Sequence, residues 1–234
     1  MLFSLLKSIV KGEFSLPTEK PSETVTNPGH LKNSDLALRK VLNVGGNSKD
    51  IPIPSQYSGW QHDLLDIDAS GNPDIVCDAR ALTQLVGAQY DAVYCSHNLE
   101  HYYKHDVAKV LSGFRHILKE DGFVHIRVPD IGEVMRQVVS REMDIDDVLY
   151  ESQAGPILVN DVLYGLGVEI ERSGNDFFAH KTGFTQKSLT ARLKASGFSS
   201  VASWCSHFEI GAIAFKNVPT AYVVELFNIQ NALE

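Results

Sequence analysis

Short apolar runs alternate with segments of helical periodicity along the chain beyond residue 36. Apolar residues recur at helical spacing between Val107 and Leu118, and this pattern predicts a helix that ends before Gly122. Five apolar runs around it are short enough to be strands, and they are Val41–Val44, Trp60–Asp66, Ile75–Cys77, Ala92–Cys95 and Phe123–Val128. Strands that alternate with helices in this way are typical of a parallel sheet with crossover helices.

The pattern changes towards the end of the chain. Thr185 precedes a segment with helical spacing and is predicted to cap that helix, which then stops at Gly197. Two further runs, Ser200–Cys205 and Ile210–Phe215, are separated by a short turn and are therefore expected to pair antiparallel. The predicted fold class is α/β, with a Rossmann-like, mostly parallel seven-stranded sheet that finishes in an antiparallel hairpin.

These elements predict the domain organisation. Residues 1–35 form an N-terminal leader, in which a short apolar stripe can form a helix and a proline-containing stretch follows. Residues 36–217 form one α/β domain, and residues 218–234 form a C-terminal tail. Residues 131–183 are less regular and strongly polar, which is typical of a lid or a substrate-shaping insertion.

Composition narrows the class of protein. The formal net charge of −8 and the isoelectric point near 5.6 disfavour non-specific binding to nucleic acid, which requires a basic surface. The three cysteines are widely scattered and form neither a disulfide framework nor a CxxC metal site, as is usual in the reducing cytoplasm. The first ten residues are too short an apolar run for a transmembrane span, and Lys7 interrupts them. The composition does not indicate an oligomeric state.

Residues suited to ligand binding follow four of the predicted strands. They are Gly45 with Gly46, Asp66, Asp78 and Ser96, one group at each strand end. The carboxyl ends of parallel strands lie at one edge of the sheet, where ligands bind. A glycine lets the backbone approach a ligand closely, and an aspartate can accept hydrogen bonds from ribose hydroxyls or from an adenine amine.

The stretch from Leu42 to Asp130 resembles the class I, seven-stranded S-adenosylmethionine-dependent methyltransferases, in particular the small-molecule group labelled type 11. The resemblance rests on LNVGGN, LDID, IVCDAR, YDAVYCSHNLEH and ILKEDGFVHIRVPD, and TGFTQKSLTARLKASGF continues it. It implies S-adenosylmethionine as cofactor and the strand order 3-2-1-4-5-7-6. It also implies that the residues matching Gly45, Asp66 and Asp78 bind the cofactor. The same strand-end loops add six further predicted cofactor-binding residues, namely Asn43, Gly46, Asn47, Ile67, Ala79 and Ser96.

Two features depart from the family pattern. Asn47 replaces the second glycine of the usual GxG and Asn43 replaces the usual acid, although asparagine tolerates a left-handed backbone well. Pro52 and Pro54 fall where the first turns of the next helix would lie, so that helix is expected to be weak. A sulfonium cofactor depends less on a helix N-terminus than the pyrophosphate of a nicotinamide cofactor does.

Histidines follow the fourth strand at a spacing of four residues. His101 and His97 are the predicted catalytic bases, with Asp130 and His180 as rivals, and a base is needed where the acceptor is a poor nucleophile. No metal site is predicted, because the zinc-protease helix requires a glutamate directly after its first histidine and Asn98 stands there.

The lid predicts the kind of acceptor. Its charged residues favour a polar small molecule or a glycan precursor, and the pairs Tyr102-Tyr103 and Phe177-Phe178 are candidate pocket walls or core residues. The leading hypothesis is therefore a cytoplasmic methyltransferase. A cofactor-binding protein without catalysis and an NAD-dependent oxidoreductase remain as alternatives.

Overall fold

A computed structural model describes residues 38–152 and 155–233, so the predicted leader at 1–35 lies outside the described residues. Its main sheet has seven strands in the order β3-β2-β1-β4-β5-β9-β8. The strands are β1 Lys40–Val44, β2 Gln61–Asp66, β3 Ile75–Val76, β4 Tyr90–Ser96, β5 Leu118–Pro129, β8 Ser200–Ser206 and β9 Glu209–Phe215. The first five are parallel, and β9 is antiparallel to both of its neighbours. Counted within this sheet alone, the order is the predicted 3-2-1-4-5-7-6.

Six α-helices accompany the sheet in the described ranges. They are α1 Val107–Ile117, α2 Ile131–Ser140, α3 Val159–Tyr164, α4 Gly167–Ser173, α5 Gln186–Ala195 and α6 Ala221–Leu226. The Thr185 hydroxyl accepts from the Ser188 amide and caps α5 as predicted, and Gly197 follows that helix with a φ of +89°. None of these helices combines the length and the apolar character needed to cross a bilayer.

Both faces of the sheet are buried, and neighbouring residues of one strand point into different cores. In β4, Val93 belongs to a core that packs against α1 and α5, whereas Ala92 and Tyr94 belong to a second core. The second core is completed by residues beyond 217, among them Val223 of α6 and Ile229. The segment predicted as a tail is therefore part of the layer that covers this face.

The connection from β1 to β2 contains no α-helix. Ile51 to Trp60 passes through Pro52 and Pro54 and forms one short 3-10 turn at Ser55–Tyr57, as expected from the two prolines. Tyr57 is buried in the second core, where its hydroxyl lies 3.3 Å from Nδ1 of His125. This loop takes the place of a crossover helix by packing an aromatic side chain against the sheet.

Residues 131–183 form a separate layer beside the main sheet. They contain α2, α3, α4 and a two-stranded antiparallel hairpin of β6 Val148–Ser152 and β7 Gly155–Leu158. The hairpin was not predicted from the sequence. The insertion has its own small core, formed by Val134, Leu149, Ile157, Val159 and Val162. It is therefore an ordered subdomain of the fold.

His125 gives the fold a dependence on pH. Burial, and to a lesser extent Arg127, lowers the pKa of His125 to about 3 from an ordinary value near 6.5. Below pH 6.5 the unfolded chain binds a proton that the folded chain rejects. We expect this residue to remove up to about 1.4 kcal/mol of stability per pH unit as the pH falls below that value.

Urea unfolding at a series of pH values from neutral down to about pH 5 measures the slope of the free energy of unfolding against pH. His125→Asn, which keeps a polar atom near the position of Nδ1, should flatten it. His105→Asn is the matched control, because it makes the same substitution at a histidine whose side chain is 75% exposed, outside the buried core. Equal slopes in the wild type and His125→Asn would contradict the prediction.

Candidate functional site

A cavity of about 270 Å³ opens at the carboxyl ends of β1, β2 and β4. This is the sheet edge at which the sequence predicted a ligand, beside the point where the strand order reverses. Seven predicted site residues line the cavity, namely Gly45, Asn47, Asp66, Ile67, Asp78, His97 and His101. The structure thus brings together residues at the ends of four different strands, β1, β2, β3 and β4.

The other four predicted cofactor residues lie behind the cavity wall. They are Asn43, Gly46, Ala79 and Ser96, and all four are buried. Asn43 supports the turn from below, since a Cβ atom on Gly46 would lie only 2.2 Å from Nδ2 of Asn43. The asparagine that replaces the family's usual acid therefore packs under the glycine turn.

The turn after β1 has a left-handed backbone at two positions. Gly45 has a φ of +69° and Asn47 a φ of +65°, so Asn47 adopts the conformation that its residue type was expected to tolerate. Gly45 also has no room for a side chain, because an added Cβ would lie 2.1 Å from Nδ2 of Asn98 in the loop after β4. The turn consequently keeps its shape without the second glycine of the motif.

Asp66 joins the loops after β1 and β2. Its Oδ2 accepts a hydrogen bond from the Asn47 amide at 2.9 Å, and its Oδ1 accepts one from the Asp68 amide at 3.0 Å. A carboxylate oxygen can accept a second bond, so each can also bind a ribose hydroxyl. Next to it, the Ile67 side chain is 42% exposed at the cavity and offers an apolar surface to a flat base.

Asp78 is held by an arginine that sequence reasoning missed. Arg80 donates through Nε to both oxygens, at 3.1 and 3.0 Å, and its Nη2 lies 2.6 Å from Oδ2. Partial burial raises the pKa of the Asp78 carboxyl, but the hydrogen bonds from Arg80 outweigh burial and lower it. Arg80 also reaches Asp106 at 3.3 Å, so it connects this wall to the start of α1. The carboxylate of Asp78 is thus already engaged by a cation.

His97 lies between two buried carboxylates. Its Nε2 is 2.9 Å from Glu209, which also accepts a 2.7 Å bond from Nε of Arg127, and its Nδ1 is 3.5 Å from Glu100. Burial alone would lower the pKa of His97, but Glu100 and Glu209 raise it to about 9. At neutral pH the ring is therefore an imidazolium, which stabilises negative charge and cannot accept a proton.

His101 is anchored to the insertion through one ring nitrogen. Its Nδ1 lies 3.1 Å from the carbonyl oxygen of Ala179, to which it donates, and its ring faces the ring of His180 at 5.0 Å. The neutral ring then carries its lone pair on Nε2. The three histidines spaced four residues apart do not share a helical face, because Leu99–His101 is a 3-10 turn and His105 is exposed before α1 begins. Of the two predicted bases, His97 is the one whose ring is held protonated by neighbouring carboxylates.

The far wall of the cavity comes from the insertion. Asp176, Phe177, Phe178 and Lys181 line it opposite Tyr102 and Tyr103, and Nζ of Lys181 lies 3.3 Å from Asp176. The amides of Lys181 and Thr182 both donate to the Glu100 carbonyl, at 2.8 and 3.1 Å. These bonds fix the insertion against the loop after β4. Both predicted aromatic pairs thus contribute to the pocket.

The two rival bases do not line the cavity. Asp130 is buried and caps α2 by accepting from the Glu133 amide at 3.2 Å. His180 lies behind His101 and donates through Nδ1 to the Val162 carbonyl at 2.9 Å. Neither residue is positioned to contact a ligand in the cavity directly.

Glu100 is the residue of this region that sequence reasoning overlooked. Its side chain is buried, with 1% of the residue exposed, and neither carboxylate oxygen makes a hydrogen bond in the described part of the chain. Burial raises its pKa, yet His97, His101 and His180 outweigh that effect and lower it to about 2. The signal in the sequence was a carboxylate beside two histidines in HNLEH, interpreted there only against a zinc-protease pattern.

A family model described as a methyltransferase domain matches residues 62–126. The match lies within the stretch that carried the resemblance, and it runs from β2 through β5. Members of this domain family use S-adenosylmethionine. No curated protein matches the chain.

Several solved structures are similar to this chain at low sequence identity. One is an O-methyltransferase family protein from Burkholderia thailandensis, which is 9% identical in sequence. The superposition covers 79% of this chain and 52% of that protein and has a TM-score of 0.50. A S-adenosylmethionine-dependent methyltransferase from Archaeoglobus fulgidus is 16% identical, with coverages of 77% and 87% and a TM-score of 0.48. The 1,6-didemethyltoxoflavin-N1-methyltransferase of B. thailandensis, solved with S-adenosylhomocysteine, is 17% identical, with coverages of 77% and 72% and a TM-score of 0.45.

Asp66 provides a direct test of the cofactor loops. Asp66→Ala removes the acceptor for a ribose hydroxyl and also releases the Asn47 amide. We expect it to weaken binding of S-adenosylhomocysteine by about 1–3 kcal/mol, as measured by calorimetric titration. Asp121→Ala, at an exposed acid on β5, is the control and should leave the affinity unchanged. An unaltered affinity of Asp66→Ala would remove Asp66 from the site.

Proposed function

We propose that this chain transfers a methyl group from S-adenosylmethionine to a polar small molecule or a glycan precursor. The match of residues 62–126 to a methyltransferase domain and the strand order expected of class I S-adenosylmethionine-dependent methyltransferases support this proposal. The observation that carries this proposal is the two-sided cavity. One side is formed by the strand-end loops, and the other is formed by charged and aromatic residues of the insertion. A cofactor and an acceptor can therefore meet between two walls of different chemistry.

On the cofactor side, each residue suits one part of S-adenosylmethionine. Asp66 accepts from the ribose hydroxyls, and Ile67 packs against the adenine. The turn at Gly45 and Asn47 brings backbone close to the cofactor without an intervening side chain at Gly45. Asp78 contributes as part of an ion pair with Arg80, which leaves it fewer lone pairs for the adenine amine than an unpaired carboxylate would have.

Methyl transfer from a sulfonium is an in-line displacement, so alignment of the acceptor supplies much of the rate acceleration. An acceptor hydroxyl also has to lose a proton, for which a neutral imidazole at the cavity wall is suited. His101 meets both conditions, since it lines the cavity and its Nδ1 is committed to the Ala179 carbonyl. His97, as an imidazolium, is assigned instead to holding the loop through Glu209 and Glu100.

The acceptor side favours a polar ligand. Asp176 and Lys181 supply a carboxylate and an ammonium group at its rim, and Tyr102, Tyr103 and Phe178 supply ring surfaces below them. Sugar rings commonly pack one face on an aromatic side chain while their hydroxyls bond to charged groups, which agrees with this combination. This wall is the basis for proposing a polar small molecule or a glycan precursor.

The proposed activity is tested in two steps. Calorimetric titration of the full chain with S-adenosylhomocysteine, S-adenosylmethionine and NADH should give binding of the two sulfur compounds and none of NADH. The reverse result would favour the oxidoreductase. A screen of sugars, nucleotide sugars and small polyols with methyl-labelled cofactor should then yield a labelled product. Cofactor binding without transfer to any polar acceptor, including non-carbohydrate ones, would favour the catalytically silent alternative.

Lys181 tests the acceptor wall once an acceptor is found. Lys181→Met keeps the aliphatic stem over Tyr103 but removes the ammonium group. We expect kcat/KM for the acceptor to fall about 10- to 100-fold, the usual effect of losing one charge-assisted hydrogen bond. The affinity for S-adenosylhomocysteine should not change. Lys187→Met, at an exposed position of α5, is the control. A loss of cofactor affinity without an effect on acceptor kinetics would contradict the prediction, because it would place Lys181 on the cofactor side of the cavity.

A further inference from the structure

Three side chains converge behind the wall of the cavity. Glu100, His101 and His180 each present one ligand-type atom, and these atoms all lie within 4.8 Å of one another. Two of the residues follow β4, and the third is supplied by the insertion, so the group forms where the two parts of the fold meet. Two imidazoles and one carboxylate are a common protein ligand set for divalent transition metals.

Glu100 lacks the partners that a buried carboxylate requires. Both oxygens are inaccessible and without a hydrogen bond in the described residues. Arg127 donates to Glu209, and His97 divides its two ring nitrogens between Glu209 at 2.9 Å and Glu100 at 3.5 Å. The remaining contact, from Nδ1 of His97 at 3.5 Å, lacks hydrogen-bond geometry. A buried, unsatisfied charge is costly, and coordination of a cation is one of the ways in which proteins satisfy it.

The two histidines are oriented as metal ligands usually are. Nδ1 of His101 donates to the Ala179 carbonyl and Nδ1 of His180 donates to the Val162 carbonyl. A backbone carbonyl on one ring nitrogen fixes the tautomer and places the lone pair on the other nitrogen, which is the usual outer arrangement around a metal-bound histidine. In both residues Nε2 is consequently the nitrogen that would coordinate.

The backbone holds the third ligand in place. Gly165 lets two segments of the insertion lie close together, because a Cβ atom added at Gly165 would lie 2.2 Å from the carbonyl oxygen of Phe178. The His180 amide donates to the Tyr164 carbonyl at 2.9 Å. The amides of Lys181 and Thr182 donate to the backbone carbonyl oxygen of Glu100. Ligand atoms around a tetrahedral zinc ion lie roughly 3.3 Å apart, so side-chain shifts of about 1 Å would complete the site.

We propose that Glu100, His101 and His180 form a binding site for one divalent transition-metal ion, with zinc as the representative ion. Three protein ligands leave a fourth position open, as in zinc sites that act on substrates. His101 also lines the cavity, so the open position lies next to the acceptor side. An oxygen of the acceptor is the ligand class suited to it. Because Nε2 of His101 cannot both coordinate an ion and accept a proton, a bound ion would replace His101 as the group that promotes loss of the acceptor's proton, by lowering the pKa of the coordinated hydroxyl. The binding of the ion itself does not depend on the proposed methyl transfer.

Calorimetric titration of the metal-free full chain with Zn²⁺ tests the site in the absence of cofactor and acceptor. We expect one equivalent to bind, and the visible spectrum of the Co²⁺ form to show the strong bands of four-coordinate cobalt. Glu100→Gln and His180→Asn should each weaken binding by more than about 100-fold, since even a lost outer contact costs 10- to 100-fold. His180→Asn retains an N–H donor for the Val162 carbonyl.

The controls separate this site from other histidines and from misfolding. His105→Ala removes an exposed imidazole near α1 and should bind Zn²⁺ like the wild type. Near-ultraviolet circular dichroism must show that both ligand variants are folded. If Zn²⁺ and Co²⁺ do not bind, or if they bind folded Glu100→Gln and His180→Asn as tightly as the wild type, the proposal is wrong. Neither result would bear on cofactor binding, which the titration with S-adenosylhomocysteine measures separately.

Discussion

The parallel pairing of β1 with β2 on one side and with β4 on the other determines the rest of this structure. In register, Val44 lies beside Leu65 and Cys95, so all three strands end at the same level of the sheet. The loops that follow must therefore share one small volume. This crowding explains why Gly45 cannot carry a side chain next to Asn98, and why one carboxylate, Asp66, can join two loops. The site is a direct result of strand register.

Periodicity was sufficient to predict the main sheet. The central strands β1 and β4 are almost wholly buried and give short apolar runs, and α1 has a clear apolar stripe. The hairpin β6–β7 was not predicted. One side of it packs on a small core and Val148 and Glu151 are exposed, so its sequence shows neither a continuous apolar run nor a strict alternation of apolar and polar residues. The prolines at 52 and 54 were informative, since they remove the helix that usually follows β1.

The site was predictable as far as local sequence determines it. Gly45, Asn47, Asp66 and Asp78 could be placed because each directly follows a strand. Two contacts could not be predicted, because the partners are distant in sequence: that of Arg80 with Asp106, and the approach of His180 to Glu100. The protonation state of His97 likewise depends on Glu209, which the chain supplies 112 residues later. Electrostatic partners across the fold leave no periodic trace in the sequence.

The position of β9 also has a consequence for how the protein is made. This strand lies between β5 and β8, yet it is synthesised after every loop that forms the cavity. Until β9 leaves the ribosome, β5 has an unpaired edge that includes Phe123, Val124 and Ile126. Unpaired edges of this kind can pair with strands of other chains. The second core stays uncovered still longer, because Val223 and Ile229, which complete it, are synthesised after β9. Nascent chains therefore contain every residue that lines the cavity before β5 gains its antiparallel neighbour and before His97 gains Glu209.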